Sequence, residues 1–230
     1  MAIWVCGDTH GEYDFSKLNT TNFPEQKSMN PEEPNYLIVC GDWGGLWDCA
    51  KSDRYVQSLY NERPWITLWV DGNHENFDAL AQYKVEEWNG GKVQFISDHI
   101  IHLMRGQVYM LEGKRFFVMG GATSVDKYHR TEGKSWWAQE MPSNREYEEA
   151  LTNLDRIGNK VDFIFTHTAP DGIIKLLSRY SWNNSDKLTQ FLQIVSETVK
   201  FEDWYFGHFH IDKDMGRFHC MYNQKPRRIV

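Results

Sequence analysis

The sequence predicts a mixed α/β sandwich on three observations: short apolar runs, amphipathic segments between them, and two hairpin patterns. The apolar runs are mostly continuous rather than alternating, which is typical of strands in a sheet that is covered on both faces. We expect buried strands at Ala2–Cys6, Tyr36–Cys40, Trp65–Val70, Asp162–Phe165 and Asp203–Phe206.

Helices are expected between these strands, at Lys51–Asn61, Asn144–Ile157 and Ser185–Val199. The second segment has the clearest start, because Ser143 and Glu146 form the pattern of a capping box. Apolar residues then recur within it at helical spacing, as in a helix that buries one face. Strands interleaved with such helices favour an α/β architecture.

Two hairpins complete the predicted elements. The first joins Gln107–Leu111 to Arg115–Met119 through a three-residue loop that contains Gly113. The second turns near Asp214–Gly216 and returns along Phe218–Tyr222. Because hairpins add antiparallel pairs, the sequence favours a mixed sandwich over a pure doubly wound sheet.

The length of 230 residues fits one domain, which we expect to span residues 1–230. The stretch Asn19–Asn35 is polar and contains three prolines, so we interpret it as a surface loop. Apolar residues make up 41% and charged residues 25% of the chain, which indicates an ordinary globular protein rather than a disordered one.

The net charge of −7 argues against a broad electrostatic grip on long duplex nucleic acid. The dense basic run is limited to the short tail Lys225–Arg228. Attraction for phosphate must then be local, and bound cations would supply it. The expected partner is therefore a small phosphorylated substrate, while the oligomeric state stays open.

The expected location is the cytoplasm. No targeting segment is visible, and no run of about 18 apolar residues could span a membrane. The four cysteines contain no C-x-x-C pair and are too few to indicate a disulfide framework, which suits a reducing compartment.

Each of the five apolar strands is followed by a loop that carries Asp, Asn or His. The loop motifs are Asp8-Thr9-His10, Gly41-Asp42, Gly72-Asn73-His74-Glu75, Thr166-His167 and Gly207-His208-Phe209-His210. Ligands of open α/β sheets bind outside the carboxyl ends of the strands, so we expect these loops to converge. The other histidines, His99, His102, His129 and His219, lack this context and are interpreted as structural or surface residues.

The spacing of these residues favours metal ligation. Asp8 and His10 are two residues apart, as are His208 and His210, and alternate side chains of extended chain point to the same side. Mixed imidazole and carboxylate ligands suit Mn, Fe, Zn or Ni better than Mg or Ca. We therefore expect divalent transition-metal ions, with manganese favoured.

The five loops resemble the motifs D-x-H, G-D, G-N-H-E, H and G-H-x-H of the calcineurin-like metallophosphoesterase superfamily, in the same order. The resemblance covers about Met1 to His210. It implies a sandwich of two mixed β-sheets flanked by helices, and a metal-dependent hydrolase of phosphate esters.

The resemblance also implies two metal ions. One ion would take Asp8, His10, Asp42 and His210, and the other would take Asp42, Asn73, His167 and His208. Asp42 would bridge the two ions. His74 would bind neither ion and would assist the leaving-group oxygen, as an acid or as a hydrogen-bond donor. A hydroxide shared by two such cations would attack phosphorus in line.

Residues outside the motifs suggest a substrate. Protein Ser/Thr phosphatases extend the second motif with an Asp and an Arg, whereas here Trp43 and Trp47 flank two glycines. Trp43 and Trp47 are candidate pocket walls, and Lys127 and Arg130 are candidate phosphate contacts. We therefore expect small phosphodiesters or nucleotide-type esters as substrates.

Alternatives remain from the sequence alone. A phosphomonoesterase of the Ser/Thr protein phosphatase type is one, and a non-catalytic scaffold of the same fold is another. A weaker likeness to the RNA lariat debranching branch runs from about Gly72 to Ser124, but that branch often has Cys where this chain has Asp8.

Overall fold

The computed structural model describes residues 1–30, 32–177 and 185–230. The α-helices within these ranges are α1 (Lys51–Asn61), α2 (Phe77–Leu80), α3 (Asn144–Arg156), α4 (Asp171–Leu177) and α5 (Lys187–Thr198). The strands are β1 (Ile3–Cys6), β2 (Tyr36–Val39), β3 (Ile66–Trp69), β4 (Val85–Trp88), β5 (Gly91–Ser97), β6 (Ile100–Leu103), β7 (Gln107–Leu111), β8 (Lys114–Met119), β9 (Phe163–Thr166), β10 (Asp203–Phe206), β11 (Lys213–Met215), β12 (Phe218–Cys220) and β13 (Arg227–Arg228).

The strands form two mixed sheets, as predicted. In the described ranges, the first sheet has the order β13-β1-β2-β3-β6-β5-β4 and the second has the order β11-β12-β10-β9-β8-β7. Parallel strands occupy the middle of each sheet, where Ile38 pairs with Val5 and Leu68, and Phe165 pairs with Val118 and Tyr205. Antiparallel strands lie at the edges.

Both faces of each sheet are covered, which explains the continuous apolar runs. Residues such as Val5 and Phe165 pack between the sheets. The outer face of the first sheet packs against α1 and a group of aromatic side chains that includes Trp69. The outer face of the second sheet packs against α3 and α5, with Trp204 fully buried there.

The predicted strands and helices are confirmed, with ends that shift by one or two residues. The capping box is also present, since the Ser143 hydroxyl accepts a hydrogen bond from the Glu146 N–H at 3.3 Å and a Glu146 carboxylate oxygen accepts from the Ser143 N–H at 2.7 Å. Both predicted hairpins form, as β7 with β8 and β11 with β12.

The hairpin of β4 and β5 was not predicted. It turns at Asn89-Gly90, and both residues have positive φ, 48° and 92°. Asn-Gly between two strands is the strongest short-range hairpin signal, so the sequence did contain the information. The hairpin was overlooked because β4 is exposed and charged, and Val85–Trp88 has no buried side chain that would indicate a strand.

The stretch Asn19–Asn35 is not the plain surface loop that its composition suggests. Phe23 is fully buried and packs edge-on against Trp4 at 4.8 Å between ring centroids, with Trp65 at 5.5 Å. Gln26 is also buried and donates to the carbonyls of Leu18 and Phe23. One buried aromatic residue is enough to anchor a polar segment to the core, and the average composition of the segment does not reveal such a residue.

Across the described parts of the chain, no helix has the length and apolar character needed to cross a membrane.

Candidate metal centre and active site

The five predicted loops converge at the carboxyl ends of five strands. Asp8, Asp42 and Asn73 follow the neighbouring strands β1, β2 and β3 of the first sheet. His167 follows β9, and His208 follows the adjacent β10 of the second sheet. The site therefore lies at one edge of the sandwich and draws side chains from both sheets.

Asp42 lies at the centre of the site. Its Oδ2 is 3.4 Å from Nε2 of His10 and 3.4 Å from Nε2 of His167. Its Oδ1 accepts a hydrogen bond from the backbone N–H of His74 at 2.8 Å. The carboxylate is thus held by the following motif while its other oxygen faces two histidines, one from each ligand set that the sequence implied.

Asp8 makes the second carboxylate of the site. Its Oδ2 is 3.3 Å from Nε2 of His210, and both of its oxygens accept from the backbone N–H of His208, at 3.0 and 3.1 Å. Potential ligand atoms lie within 4.8 Å of one another in two groups, Asp8 with His10 and His210, and Asp8 with Asp42 and His167. Each group could hold a metal ion, and the two groups share Asp8.

Hydrogen bonds outside the site fix the direction of two imidazoles. His167 donates from Nδ1 to the carbonyl of Cys40 at 2.8 Å, and Nδ1 of His10 is 2.6 Å from a carboxylate oxygen of Asp14. In both rings Nε2 is left to face Asp42. Such outer partners select the tautomer that presents a lone pair to a metal ion.

The donor set fits a divalent cation. The Asn73 amide donates from Nδ2 to Ser124 Oγ at 3.2 Å, which leaves its Oδ1 only 3.1 Å from Nε2 of His167. Lone pairs of Asn73, His167 and Asp42 then face one another in a buried space, which costs free energy without a positive charge between them. A metal ion, or otherwise a proton, satisfies this arrangement. The His208 ring adjoins it, with its centroid 5.0 Å from that of His167.

The pKa values of the histidines also indicate that the site favours a positive charge. Burial opposes the charged form of His167, but Asp42 and Asp8 outweigh it and raise the pKa of that ring to about 10. Burial is likewise outweighed at His10, whose pKa rises to about 9 through Asp42 and Asp8. The pKa of His208 falls to about 3, because burial and the neighbouring His167 both disfavour its protonation.

Four of the predicted ligands have left-handed backbone conformations. The φ values are 42° for His10, 47° for Asp42, 68° for His208 and 51° for His210. Such conformations cost about 1 kcal/mol or more for residues with a Cβ, and they concentrate at functional sites. The structure maintains this strain because it turns the side chains towards the centre of the site.

The glycines of the motifs allow close approach to the carboxylates. A Cβ on Gly72 would lie 2.0 Å from Oδ1 of Asp42, and one on Gly207 would lie 1.9 Å from Oδ1 of Asp8. Any side chain at either position would displace the carboxylate. The glycines next to the ligands are therefore part of the site.

His74 stands beside the cluster and not within it. Its ring centroid is 6.1 Å from that of His10 and 6.2 Å from that of Trp47. Burial lowers the pKa of His74, against the charge of Asp42, and Arg130 lowers it further. The ring is therefore neutral at neutral pH and has one N–H to donate.

A cavity of about 640 Å³ opens beside these residues. It is lined by His10, Asp42 and His74 and, farther along, by Trp47 and Tyr55. Trp47 thus lines the cavity, as expected.

Trp43 does not line this cavity, and the expectation that it walls a substrate pocket is corrected. Its side chain is fully buried, 5.0 Å from the ring of Trp69 and 5.6 Å from that of Tyr60. The left-handed turn at Asp42 directs the carboxylate to the site while the next side chain enters the core.

The two candidate phosphate contacts lie in a loop near His74. Arg130 bonds to Asp126 at 2.7 Å and to the carbonyl of Ser135 at 3.0 Å. The positive charge of Arg130 lowers the pKa of His74. Lys127 lies over the ring of Tyr128, with Nζ 5.7 Å from the centroid. Neither side chain contacts the metal ligands.

Sequence reasoning missed the residues that orient the ligands. Asp14 lies four residues after His10, but carboxylates are too common in loops for this spacing to be a signal. Ser124 lies 51 residues from Asn73 and carries no pattern at all. Glu75, the last residue of the third motif, is fully buried and accepts from the backbone N–H of Trp43 at 3.0 Å.

Comparisons with known proteins bear on this site. A sequence model of calcineurin-like phosphoesterases matches residues 1–212. The chain is similar in structure to phosphopantetheinyl hydrolase from Mycobacterium tuberculosis, with 16% identity, a TM-score of 0.45, and coverage of 100% of this chain and 95% of that one. No curated protein sequence matches this chain.

It is also similar to a putative 5′-nucleotidase from Staphylococcus aureus, with 15% identity and a TM-score of 0.50. That match covers 96% of this chain and 48% of the nucleotidase, so this chain spans about half of the nucleotidase's length. At this level of identity the likeness shows the fold alone. The family match includes every loop that converges on the site, and the chain therefore belongs to the calcineurin-like phosphoesterases, which makes it a metal-dependent hydrolase of phosphate esters.

Proposed function

We propose that the protein is a dinuclear phosphoesterase whose substrates are small phosphodiesters or nucleotide-type esters. The observation that carries the proposal is the position of Asp42, whose Oδ2 is 3.4 Å from Nε2 of both His10 and His167. One oxygen of Asp42 thus lies between the Nε2 atoms of two histidines, as expected for a carboxylate that binds two ions.

The proposed ligand sets are those that the resemblance to the calcineurin-like family implies. One set is Asp8, His10, Asp42 and His210, and the other is Asp42, Asn73, His167 and His208. Imidazole-rich sets favour Mn, Fe, Zn or Ni, and manganese is our first choice because carboxylate and amide oxygens are also present. When bound, the ions would lower the pKa of water to give a nucleophile and would neutralise charge on phosphate oxygens.

His74 is proposed to assist the leaving group as a hydrogen-bond donor. The ring lies beside the cluster and lines the cavity. Its lowered pKa favours the neutral ring, which donates a hydrogen bond and has little capacity to act as an acid. The backbone N–H of His74 donates to Asp42, and this hydrogen bond fixes the position from which the ring reaches into the cavity.

The charge of the cavity supports a monoanionic substrate. Within the described part of the chain, no Lys or Arg lines it, whereas the carboxylates of Glu12, Asp14, Asp48 and Asp53 do. The pKa of Asp48 is lowered by hydrogen bonds from Ser52 and Ala50, so this group is ionised at neutral pH. A monoester dianion or a polyphosphate meets more repulsion here than a diester does.

The aromatic wall supports a flat or apolar group beside the phosphate. Trp47 and Tyr55 line the cavity, and Trp47 is braced by Trp137 at 5.4 Å between centroids. Aromatic faces of this kind bind bases and aryl groups by stacking. Arg130 and Lys127 are proposed as minor phosphate contacts from the neighbouring loop, and Arg130 is already engaged by Asp126.

We also propose that residues 1–230 form one domain that acts in the cytoplasm. The segment after residue 212 supports the first point, because β13 pairs with β1 at Val5 and Trp4 and so completes the first sheet. No large basic surface is needed for a small substrate, which agrees with the net charge of −7.

The test is a comparison of kcat/KM with Mn²⁺ on bis(4-nitrophenyl) phosphate and 4-nitrophenyl phosphate, which share a leaving group and differ in charge. A cyclic nucleotide, a mononucleotide and a phosphoserine peptide complete the panel. We expect the diester to exceed the monoester by tenfold or more. A tenfold advantage for any monoester refutes the diester preference, and Arg130→Ala then becomes the next experiment. If that monoester is 4-nitrophenyl phosphate or the phosphopeptide rather than the mononucleotide, the nucleotide-type preference is refuted as well.

If protein that holds two ions hydrolyses none of these substrates, the alternative of a non-catalytic scaffold is favoured.

A further inference from the structure

The amide of Asn73 has a specific partner outside the metal site. Its Nδ2 donates to Ser124 Oγ at 3.2 Å, and both residues are nearly inaccessible to solvent. The two ends of an asparagine amide have opposite hydrogen-bonding roles, since the oxygen accepts and the nitrogen donates. Which end faces His167 therefore decides whether Asn73 can bind a cation.

We propose that Ser124 is a positioning residue that keeps Oδ1 of Asn73 directed at the metal site, and that Glu140 holds Ser124 in place. The inference rests on the proposed function, because it takes Asn73 as a metal ligand. In the opposite orientation the amide nitrogen would donate to Nε2 of His167, 3.1 Å away, and both residues would be lost as ligands. The hydroxyl at Ser124 supports the ligand orientation because it gives Nδ2 of Asn73 an acceptor while Oδ1 is committed to the ion.

The position of Ser124 is itself fixed by buried hydrogen bonds. Its backbone N–H donates to a carboxylate oxygen of Glu140 at 2.9 Å, and Glu140 is 1% exposed. Arg105 in turn donates to the carbonyl of Glu140 at 3.2 Å. Earlier in the same loop, Gly121 donates to the carbonyl of Asp71 at 2.8 Å. The loop that carries Ser124 is thus tied directly to the strand end that carries Asn73.

Loss of the hydroxyl has a defined consequence for metal binding. With Oδ1 bound to an ion, Nδ2 of Asn73 would remain buried without an acceptor. Substitution of such outer partners typically weakens metal binding by about 10- to 100-fold. Only the ion that takes Asn73 is affected, because the other ligand set does not include this amide.

The experiment is calorimetric titration of the metal-free protein with Mn²⁺. Wild type is compared with Ser124→Ala and with Ser124→Cys, which keeps nearly the same volume and loses a good acceptor. Ser143→Ala is the matched control, since it removes a hydrogen-bonded hydroxyl from the N-terminal cap of α3. We expect one of two affinities to fall by about 10- to 100-fold in both Ser124 variants, with the other changed less than threefold.

Wild-type affinities at both sites in Ser124→Cys would overturn the inference, as would equal losses at both sites. If Ser124→Ala fails to fold, the Cys variant decides. Binding of fewer than two ions by the wild type would instead refute the dinuclear proposal, and the two failures are therefore distinguishable.

Discussion

Two clusters that contain Asp and His lie next to each other, one with Asp71 before Gly72 and the other with Asn73 after it. The metal-ligand cluster, named for the ligands proposed above, consists of Asp8, His10, Asp42, Asn73, His167, His208 and His210. The rear cluster consists of Asp71, Gln94, His102 and Arg105. In the rear cluster, Arg105 donates twice to Oδ2 of Asp71, at 2.8 and 2.5 Å, and Nε2 of His102 is 3.1 Å from its Oδ1.

The clusters differ in where their positive charge comes from. The rear cluster contains its own cation, and burial of Asp71 is outweighed by Arg105 and His102, which lower its pKa to about 2. The metal-ligand cluster has no Arg or Lys and leaves the lone pairs of Asp42, Asn73 and His167 facing one another. Composition alone therefore does not separate a structural cluster from a metal site, whereas the presence of an internal cation does.

The largest expected effect comes from the shared ligand. Asp42→Asn should abolish binding of at least one ion and lower kcat on bis(4-nitrophenyl) phosphate by more than about 100-fold, because a neutral amide cannot bridge two cations. The stability gained by adding Mn²⁺ should disappear with the lost site. Metal content and kinetics check this, with Asp162→Asn, which changes an aspartate paired to Lys114, as control. Full metal content and turnover would exclude the bridging assignment.

A change in the rear cluster should act mainly on stability. Arg105→Met leaves Asp71 buried without its cation, so we expect the free energy of unfolding to fall by about 3–5 kcal/mol. Addition of Mn²⁺ should still raise stability, because no ligand is removed. The gain should be slightly smaller than in the wild type, because Arg105 also donates to the carbonyl of Glu140, which holds Ser124. Urea unfolding with and without Mn²⁺ measures both quantities, and an unchanged midpoint would show that the rear cluster is not structural.

The smallest effect is expected at the boundary of the metal-ligand cluster. His74→Ala should slow hydrolysis of alkyl phosphate esters about tenfold more than that of nitrophenyl esters, whose leaving group needs little assistance. The metal content of this variant should match the wild type. His99→Ala, which changes an exposed histidine, is the control, and its activity should match the wild type. Equal losses on both ester classes would contradict the leaving-group role.

The ligand loops were predictable because several independent constraints coincide there. Each strand end that carries Asp or His also carries a glycine or a tight turn, as at Gly207 before His208. His102 and His219 lack this context, and both are buried or nearly so with carboxylate partners, Asp71 for the first and Asp203 and Asp214 for the second.

The orienting residues were not predictable for a physical reason. Ser124 and Cys40 act through one hydroxyl and one backbone carbonyl, and neither requires a residue pattern. The different positions of Trp43 and Trp47, both expected as pocket walls, have a similar origin. The left-handed φ of 47° at Asp42 sets which tryptophan enters the core, and sequence does not reveal a backbone angle at a non-glycine residue.

The left-handed conformations at His10, Asp42, His208 and His210 have an evolutionary consequence. At each of these positions glycine would relieve roughly 1 kcal/mol, so mutation offers a steady route to a more stable and inactive chain. Only purifying selection for metal binding opposes that route. In a descendant released from this selection, we expect these four positions to be the first to drift, well before the glycines that adjoin them.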